Sequence, residues 1–289
     1  SSSDSWVILS PIEQSIKRKI EAVGTPLKDW DINIYRGVLT GYNEAFIIST
    51  EKREEILANC QTEDERKRTA ELIRPILRGR DIKRYGYNWA GLYLIATFPS
   101  RHYDIELYPA VKNYLLSYGI ERLEQTGKVH NVNGEKIKAR KKTSNKWFET
   151  QDSISYWEDF SKPKMLWKRV GSILRFCYND NETLGLDSTC FATGENIEFI
   201  CCVLNSPMGH YLLKDAPKTG TGDLLVSVQA IEPIQLPQVG SETNSEFKKL
   251  LERLIKTDTP SNEKEISCKV FKLYDLSLDE QSYIETNFT

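Results

Sequence analysis

The stretch from Lys136 to Arg169, KIKARKKTSNKWFETQDSISYWEDFSKPKMLWKR, says most about the fold and function of this chain. Basic residues and large aromatic residues alternate through it, and no acidic residue precedes Glu149. Lysine and arginine neutralise phosphates, arginine reads the edges of guanine, and aromatic rings stack on bases. A second interpretation stays open, in which a solvated loop leads into an amphipathic strand whose aromatic residues belong to the core.

A second basic cluster lies upstream, at Ile73–Tyr85, where five residues are cationic and one is acidic. Its Arg78-Gly79-Arg80 sequence suits nucleic acid, because glycine lets a backbone approach closely. The alternative is structural: Arg80 or Arg84 pairs with Asp81 or with another carboxylate and holds a loop in place.

The two clusters supply the candidate DNA-binding residues. Flexible lysines are good point charges and poor readers of bases, so we expect the lysines between 138 and 142 to contact phosphate. Planar guanidinium forks suit guanine, so Arg78, Arg80 and Arg140 are the expected base readers. For Trp147 we favour packing over base contact. The full candidate set is Arg78, Arg80, Lys83, Arg84, Lys138, Arg140, Lys141, Lys142, Lys146, Trp147, Lys168 and Arg169.

Composition places the chain among folded proteins without a bulk charge. Its 289 residues suit one large domain or two small ones, and 39% hydrophobic with 28% charged residues is enough to bury a core. The formal net charge is only −2, so any contact with nucleic acid must use a local patch. Residues 240–289 carry ten acids and seven bases, which disfavours phosphate contact there.

Sequence motifs for catalysis are missing. The sequence contains no G-x-x-x-x-G-K-[ST], no G-x-G-x-x-G and no G-x-S-x-G, and Lys218–Asp223 resembles a phosphate loop only in the wrong order. The six cysteines form no C-x-x-C, so we interpret them as reduced thiols of a cytoplasmic protein. The three histidines are isolated, and neither a membrane span nor a signal peptide is visible. We therefore nominate no catalytic or metal-binding residue.

Helices and strands alternate irregularly along the chain. Capping boxes at Ser10, Thr62 and Ser277 predict helix starts, and Ile197–Leu204 is too apolar for a surface helix. Alternating or continuous apolar runs predict strands, among them Leu92–Phe98, Ser172–Tyr178 and Asp223–Ile231.

A break near Leu236–Gly240 divides the chain into two predicted parts, a recognition domain at 1–238 and a helical segment at 239–289. The apolar stripe through Leu250, Leu254 and Ile255 needs a partner surface. We expect that surface to be the N-terminal helix that carries Ile12, Ile16 and Ile20. The opening Ser1-Ser2-Ser3-Asp4, without Met, suggests a piece of a longer protein or a processed terminus.

Ordered segments over nearly the whole chain resemble the C-terminal specificity domain of TaqI-like DNA adenine methyltransferases and of fused type IIG restriction–modification enzymes. Each segment is weakly diagnostic alone, and their shared order makes the resemblance specific. The segments are Gly37–Phe46 (G-x-x-T-G-x-N-x-A-F), Arg78–Ile82 (R-G-R-D-I) with Arg84-Tyr85, Tyr108–Val111, Trp147–Asp152 with Tyr156, Phe160 and Pro163-Lys164, then Leu204–Ser206 and Leu273–Leu276.

The resemblance implies an α+β fold: a mixed α/β target-recognition domain with a twisted, largely antiparallel sheet, plus the C-terminal helical segment. It implies a non-catalytic module that binds double-stranded DNA and positions it for a methyltransferase domain in the same full-length chain. That domain binds S-adenosylmethionine and flips an adenine out of the stack. No cofactor is expected in residues 1–289, and Mg²⁺ is implied only where a nuclease is fused.

Two alternatives from other classes stay open. The chain is a protein–protein docking module if the acidic helical tail is its working surface. It is a free-standing nuclease if its catalytic residues are dispersed. Sequence-dependent binding of a duplex would distinguish the DNA-recognition module from the docking module, and metal-dependent cleavage would indicate the nuclease.

Overall fold

A computed structural model describes residues 8–257 and 260–288, so the opening Ser1–Asp4 lies outside the described residues. In that part of the chain the helices are α1 (Pro11–Val23), α2 (Asn43–Phe46), α3 (Thr50–Ala58), α4 (Glu63–Leu72), α5 (Pro109–Leu116), α6 (Ile120–Leu123), α7 (Ile197–Asn205), α8 (Pro207–Leu212), α9 (Val228–Ile231), α10 (Ser241–Lys256), α11 (Pro260–Leu273) and α12 (Leu278–Asn287). The strands are β1 (Gly24–Pro26), β2 (Ile32–Arg36), β3 (Ile47–Ser49), β4 (Ile73–Leu77), β5 (Leu92–Ile95), β6 (Val129–Val132), β7 (Glu135–Lys138), β8 (Lys164–Lys168), β9 (Val170–Gly171), β10 (Phe176–Asn179), β11 (Leu184–Gly185), β12 (Thr189–Gly194), β13 (Leu224–Leu225) and β14 (Gln235–Pro237).

The three predicted capping boxes start helices. The hydroxyl of Ser10 accepts the amide N–H of Glu13 at 3.4 Å at the start of α1, and Thr62 accepts that of Glu65 at 3.1 Å before α4. At α12 the bond runs both ways, because Ser277 also donates its own amide N–H to the Glu280 carboxylate. These side chains satisfy amide groups that have no partner inside the helix.

Two four-stranded sheets form the framework. The first has the order β10-β8-β12-β2 and is antiparallel throughout, and the second has the order β11-β4-β5-β3 with one parallel pair, β11 and β4. Two-stranded pairs join β1 to β14, β13 to β9 and β6 to β7. The expected α+β class with largely antiparallel pairing is confirmed.

The first sheet contributes to two hydrophobic cores, one on each face. The first core lies between this sheet and the helices, and includes Trp167, Phe176 and the apolar residues of the fully buried helix α7. The second surrounds the β4 sheet, with Phe46, Leu94 and Phe148 among its members. The burial expected for Ile197–Leu204 is confirmed.

The C-terminal helices complete the first core. Phe247, Leu251, Val270 and Phe271 are buried in the same cluster as Trp167. Helix α10 packs chiefly on α7, and α11 contacts α7 and α8. Helix α7, whose residues are all buried, is thus the main partner of α10, and the expected packing of residues 239–289 on α1 stays a prediction. The division of the chain at residue 238 stays a prediction.

Helix α1 is held to the last helix by polar contacts. The Lys19 ammonium lies 2.5 Å from the Glu280 carboxylate, and the Tyr283 hydroxyl donates to Glu13 at 2.9 Å. Bonds from Lys19 and from the helix-capping Ser277 lower the pKa of Glu280 to about 2, although burial acts in the opposite direction. These bonds stabilise the ionised carboxylate.

Two predicted strands differ in the structure. Asp223–Ile231 forms only the two-residue β13, after which the chain turns into α9 and buries Ala230 and Ile231. Short apolar runs fit both periods, and the packing of neighbouring elements decides between them. The strand expected at Ser172 begins instead at Phe176, which leaves 172–175 as a loop.

Adjacent residues of α10 test the packing of the C-terminal helices. Leu254 is buried and Ile255 is 45% exposed. We expect Leu254→Ala to lower the free energy of unfolding by about 2–5 kcal/mol, because it removes buried methyl groups and leaves a cavity. The matched Ile255→Ala should change it by about 0.5 kcal/mol or less. Urea unfolding followed by circular dichroism measures both, and equal effects would contradict the packing of α10 on the core.

Candidate nucleic-acid interface

The ends of several strands meet at one edge of the molecule. The register pairs Arg36 at the end of β2 with Cys190, and Lys168 at the end of β8 with Thr189 at the start of β12. Leu77, which ends β4, accepts a hydrogen bond from the amide N–H of Leu186 just before β12. The exposed or half-buried cations at this edge, here called the cationic edge, are Arg36, Arg80, Lys168, Arg169 and Arg175.

The Arg78-Gly79-Arg80 sequence forms a tight turn on this edge. The amide N–H of Gly79 donates to the Ser188 hydroxyl at 3.0 Å, and a Cβ at position 79 would lie 2.8 Å from Cγ of Lys168. Glycine is therefore required by the close approach of two neighbouring strand ends. The turn brings the two basic clusters of the sequence together, because Lys168 belongs to one and Arg80 to the other.

Arg78 and Arg80 have different surroundings in this turn. The Arg78 guanidinium donates to both carboxylate oxygens of Asp81, at 3.1 and 2.8 Å, and this bond raises its pKa. Arg80 is exposed, and its side chain makes no hydrogen bond or ion pair with any residue the structure describes. The ion pair with Asp81 that we considered for Arg80 is made by Arg78 instead. Of the two guanidinium groups, that of Arg80 is therefore the one available to bind a ligand.

The next two candidates along the chain, Lys83 and Arg84, lie beyond this turn and have different surroundings. Arg84 donates from one nitrogen to both oxygens of Glu263 on α11 at 2.9 Å, which is the structural pairing considered from the sequence. Tyr85 is buried in the first core and Lys83 is exposed. Arg84 therefore links the turn to the C-terminal helices.

Arg140 is a structural residue and not an exposed base reader. It is 4% exposed, and its guanidinium donates to the backbone carbonyls of Leu123, Thr40, Glu149 and Trp147 at 2.7–2.9 Å. Burial lowers the pKa of its guanidinium to about 10. The expectation of guanine contact was wrong for this residue, because all three guanidinium nitrogens already donate hydrogen bonds to backbone carbonyls of the protein.

The lysines around Arg140 face outward. Strands β6 and β7 form a hairpin, and the exposed lysines on and after it, here called the basic arm, are Lys136, Lys138, Lys141, Lys142 and Lys146. A cleft of about 300 Å³ lies between Tyr42, Arg122 and residues 136–140. Trp147 is half-buried, packs edge-on against Phe148 with ring centroids 5.4 Å apart, and contacts the second core.

The cationic edge and the basic arm belong to one surface. The Arg36 guanidinium lies 3.7 Å from the Asp187 carboxylate, one residue before the Ser188 that contacts Gly79. The amide N–H of Asp187 donates to the Val38 carbonyl at 2.9 Å, and that of Asp152 donates to the next carbonyl, Leu39, at 3.2 Å, which places the segment after the basic arm beside the edge. The sequence search missed Arg36 and Arg175, because each is a single cation that only the strand register brings to the edge.

Metal-binding groups and reactive thiols were also sought among the described residues. Among them no group of three or more histidine, cysteine or acidic residues could hold a metal ion. Burial raises the pKa of the Cys177 thiol to about 12 and that of Cys190 to about 11, so both stay protonated. No helix within residues 8–257 and 260–288 is long and apolar enough to cross a membrane. What the arrangement can do is bind an extended anion.

Comparison with known proteins identifies the family. The profile of the TaqI-like C-terminal specificity domain matches residues 74–229, more than half of the chain. The chain belongs to this family. The match spans the Arg78–Asp81 turn, the basic arm, β8 and the loop before β10, and so covers most of the surface just described. The resemblance seen in the sequence is confirmed.

Solved structures of the same fold are far apart in sequence. The type IIL restriction–modification enzyme MmeI, solved in complex with DNA, matches with a TM-score of 0.60 and 10% identity over 91% of this chain and 36% of that one. The type IIG restriction endonuclease BpuSI matches with a TM-score of 0.55 and 12% identity over 96% of this chain and 32% of that one. This chain thus spans about a third of either enzyme, and at such identity the likeness shows the fold alone. No curated protein matches the sequence.

Paired variants test the two arginine roles. We expect Arg140→Ala to lower the free energy of unfolding by about 3 kcal/mol or more, because several buried carbonyls lose their donor. Arg80→Ala, on an exposed side chain, should stay within about 0.5 kcal/mol of the wild type. Thermal and urea unfolding of both variants measures this, and a marginal effect of Arg140→Ala would show that the buried bonds contribute little.

Proposed function

We propose that this chain is the sequence-specific duplex-DNA recognition module of a restriction–modification enzyme. In this proposal it positions DNA for an S-adenosylmethionine-dependent adenine methyltransferase that lies outside residues 1–289, in the same full-length chain, with or without a fused endonuclease. The observation that carries the proposal is the cationic edge, built from strand ends of both sheets in a member of the specificity-domain family.

The arrangement of charge supports a nucleic-acid partner over a general anion. The cations of the edge and the basic arm extend across both halves of the fold, while the whole chain has a net charge of −2. Repeated phosphates along a duplex match several separate cations, and one small anion would occupy only one of them. A role in restriction–modification would also place the protein in the cytoplasm with its DNA.

Chemistry is assigned to the other part of the enzyme. The sequence has no glycine-rich cofactor loop, and the described residues contain no group of three or more histidine, cysteine or acidic side chains that could hold a metal ion. S-adenosylmethionine, and Mg²⁺ where a nuclease is present, would therefore be bound elsewhere. Protein docking through the C-terminal helices is the weaker alternative, because their apolar stripe already packs in the first core.

Phosphate contact is tested by the salt dependence of binding. We expect Lys168→Ala and Lys138→Ala to weaken all duplexes alike and to reduce the slope of log affinity against log salt by about one unit each, because each neutralises about one phosphate. Lys28→Ala is the matched control and should leave the slope unchanged, because this exposed lysine precedes β2, at the opposite end of that strand from Arg36. Fluorescence anisotropy with labelled duplexes from low to moderate salt measures the slopes. Unchanged slopes for both edge and arm variants would remove these lysines from the interface.

The absence of catalysis is tested separately. We expect purified chain to transfer no methyl group from labelled S-adenosylmethionine to mixed-sequence duplexes, and to cleave none of them with Mg²⁺ present. The reason is that residues 1–289 contain no glycine-rich cofactor loop and no base-holding motif. Turnover that follows the protein through two purification steps would overturn the assignment.

A further inference from the structure

The loop between β9 and β10, residues 172–175, belongs to the cationic edge and leads into β10, an outermost strand of the first sheet. Leu174 points inward and is buried, whereas Ile173 and Arg175 on either side of it are exposed. Ile173 is 57% exposed, an unusual position for a large apolar side chain beside Lys168 and Arg169. The backbone bends at residues 172 and 173, and the two exposed side chains lie on either side of the buried Leu174.

Both ends of the loop are fixed. On one side β9 pairs with β13, and the amide N–H of Val226 donates to the Arg169 carbonyl at 2.8 Å. On the other side the fully buried Asn205 holds Phe176, accepting its amide N–H at 2.9 Å and donating to its carbonyl at 2.7 Å. An anchored loop loses little backbone conformational entropy when its side chains bind a ligand.

The positive charges flanking the loop are oriented by the same framework. The Lys168 side chain runs between Gly79 and Gly171, and a Cβ at position 171 would lie 3.6 Å from its Cδ. The Arg175 guanidinium makes no hydrogen bond or ion pair within the described residues. An unpaired guanidinium and an apolar side chain thus project from an edge whose other cations suit phosphate.

We infer that Arg175 and Ile173 are specificity-determining residues that read base edges in the major groove. This inference rests on the proposed function. Arg175 pairs with O6 and N7 of a guanine, and Ile173 contacts the C5 methyl group of a thymine, the one apolar feature of that groove. The Cα atoms of residues two apart are separated by at most about 7 Å, or about two base steps, so the guanine and the thymine lie within about three base pairs of each other.

Selection from a randomised duplex library gives the first test. The wild-type chain should enrich a motif that contains guanine and thymine at this spacing. Arg175→Ala should lose the guanine preference by about tenfold or more, and Ile173→Ala should lose the thymine preference alone. Lys168→Ala should bind more weakly and keep the whole motif. Ile255→Ala, on an exposed isoleucine of α10, is the apolar control and should match the wild type.

Base analogues make the test specific to the atoms involved. Replacing the thymine with uracil, which lacks the methyl group, should weaken wild-type binding by about threefold to fivefold and leave Ile173→Ala unaffected. Replacing the guanine with 7-deazaguanine should weaken the wild type and leave Arg175→Ala unaffected. An analogue that weakens the wild type and not the variant shows that the altered base atom and the deleted side chain contact each other directly.

Each other outcome has a defined meaning. If both loop variants keep the wild-type motif, or if the analogues weaken them as much as the wild type, the loop does not read these bases and the inference is wrong. A protein partner for Ile173 would then be the remaining explanation for its exposure. If the wild-type chain enriches no sequence, the proposed function itself fails and the inference fails with it.

Discussion

The close backbone contact between the two sheets is the constraint on which the rest of the structure depends. Gly37 donates its amide N–H to Thr189 at 2.9 Å, and Val38 donates to Gly185 at 2.8 Å. A Cβ at position 37 would lie 2.0 Å from the Leu186 carbonyl oxygen, so no other residue fits there. Because β2 belongs to one sheet and β11 to the other, this contact fixes the sheets relative to each other and gathers their strand ends into a single edge.

The residues that follow Gly37 extend the same junction into the second core. The Thr40 hydroxyl accepts the amide N–H of Tyr42 at 3.0 Å and bonds to the Asn43 side chain, which shapes the turn before α2. The Thr40 carbonyl in turn accepts a hydrogen bond from Arg140 at 2.7 Å. The Gly37–Phe46 motif of the family and the buried Arg140 are therefore parts of one hydrogen-bond network. The basic arm projects from the segment that this network holds in place.

Local signals in the sequence predicted the local features well and the surroundings of single side chains poorly. Helix caps at Ser10, Thr62 and Ser277 depend on residues three apart, and the sequence contains everything they need. Arg140 and Arg80 both sit in basic runs, yet one is buried and the other exposed. The difference arises because carbonyls from residues 40, 123, 147 and 149 converge on Arg140, and such convergence is a property of the tertiary fold. Arg175 was missed for the same reason.

Acidic side chains built into the edge bear on how the proposed binding of DNA would be selective. Asp81 occupies the fork of Arg78, and Asp187 lies beside Arg36. These fixed carboxylates lower the local positive potential, so attraction to phosphate alone is weaker than the number of cations suggests. Discrimination then depends on the groups without an internal partner, which at the cationic edge include Arg80 and Arg175. When the affinity for any duplex is low, each base contact that only the correct sequence can supply makes up a larger share of the total affinity for that sequence.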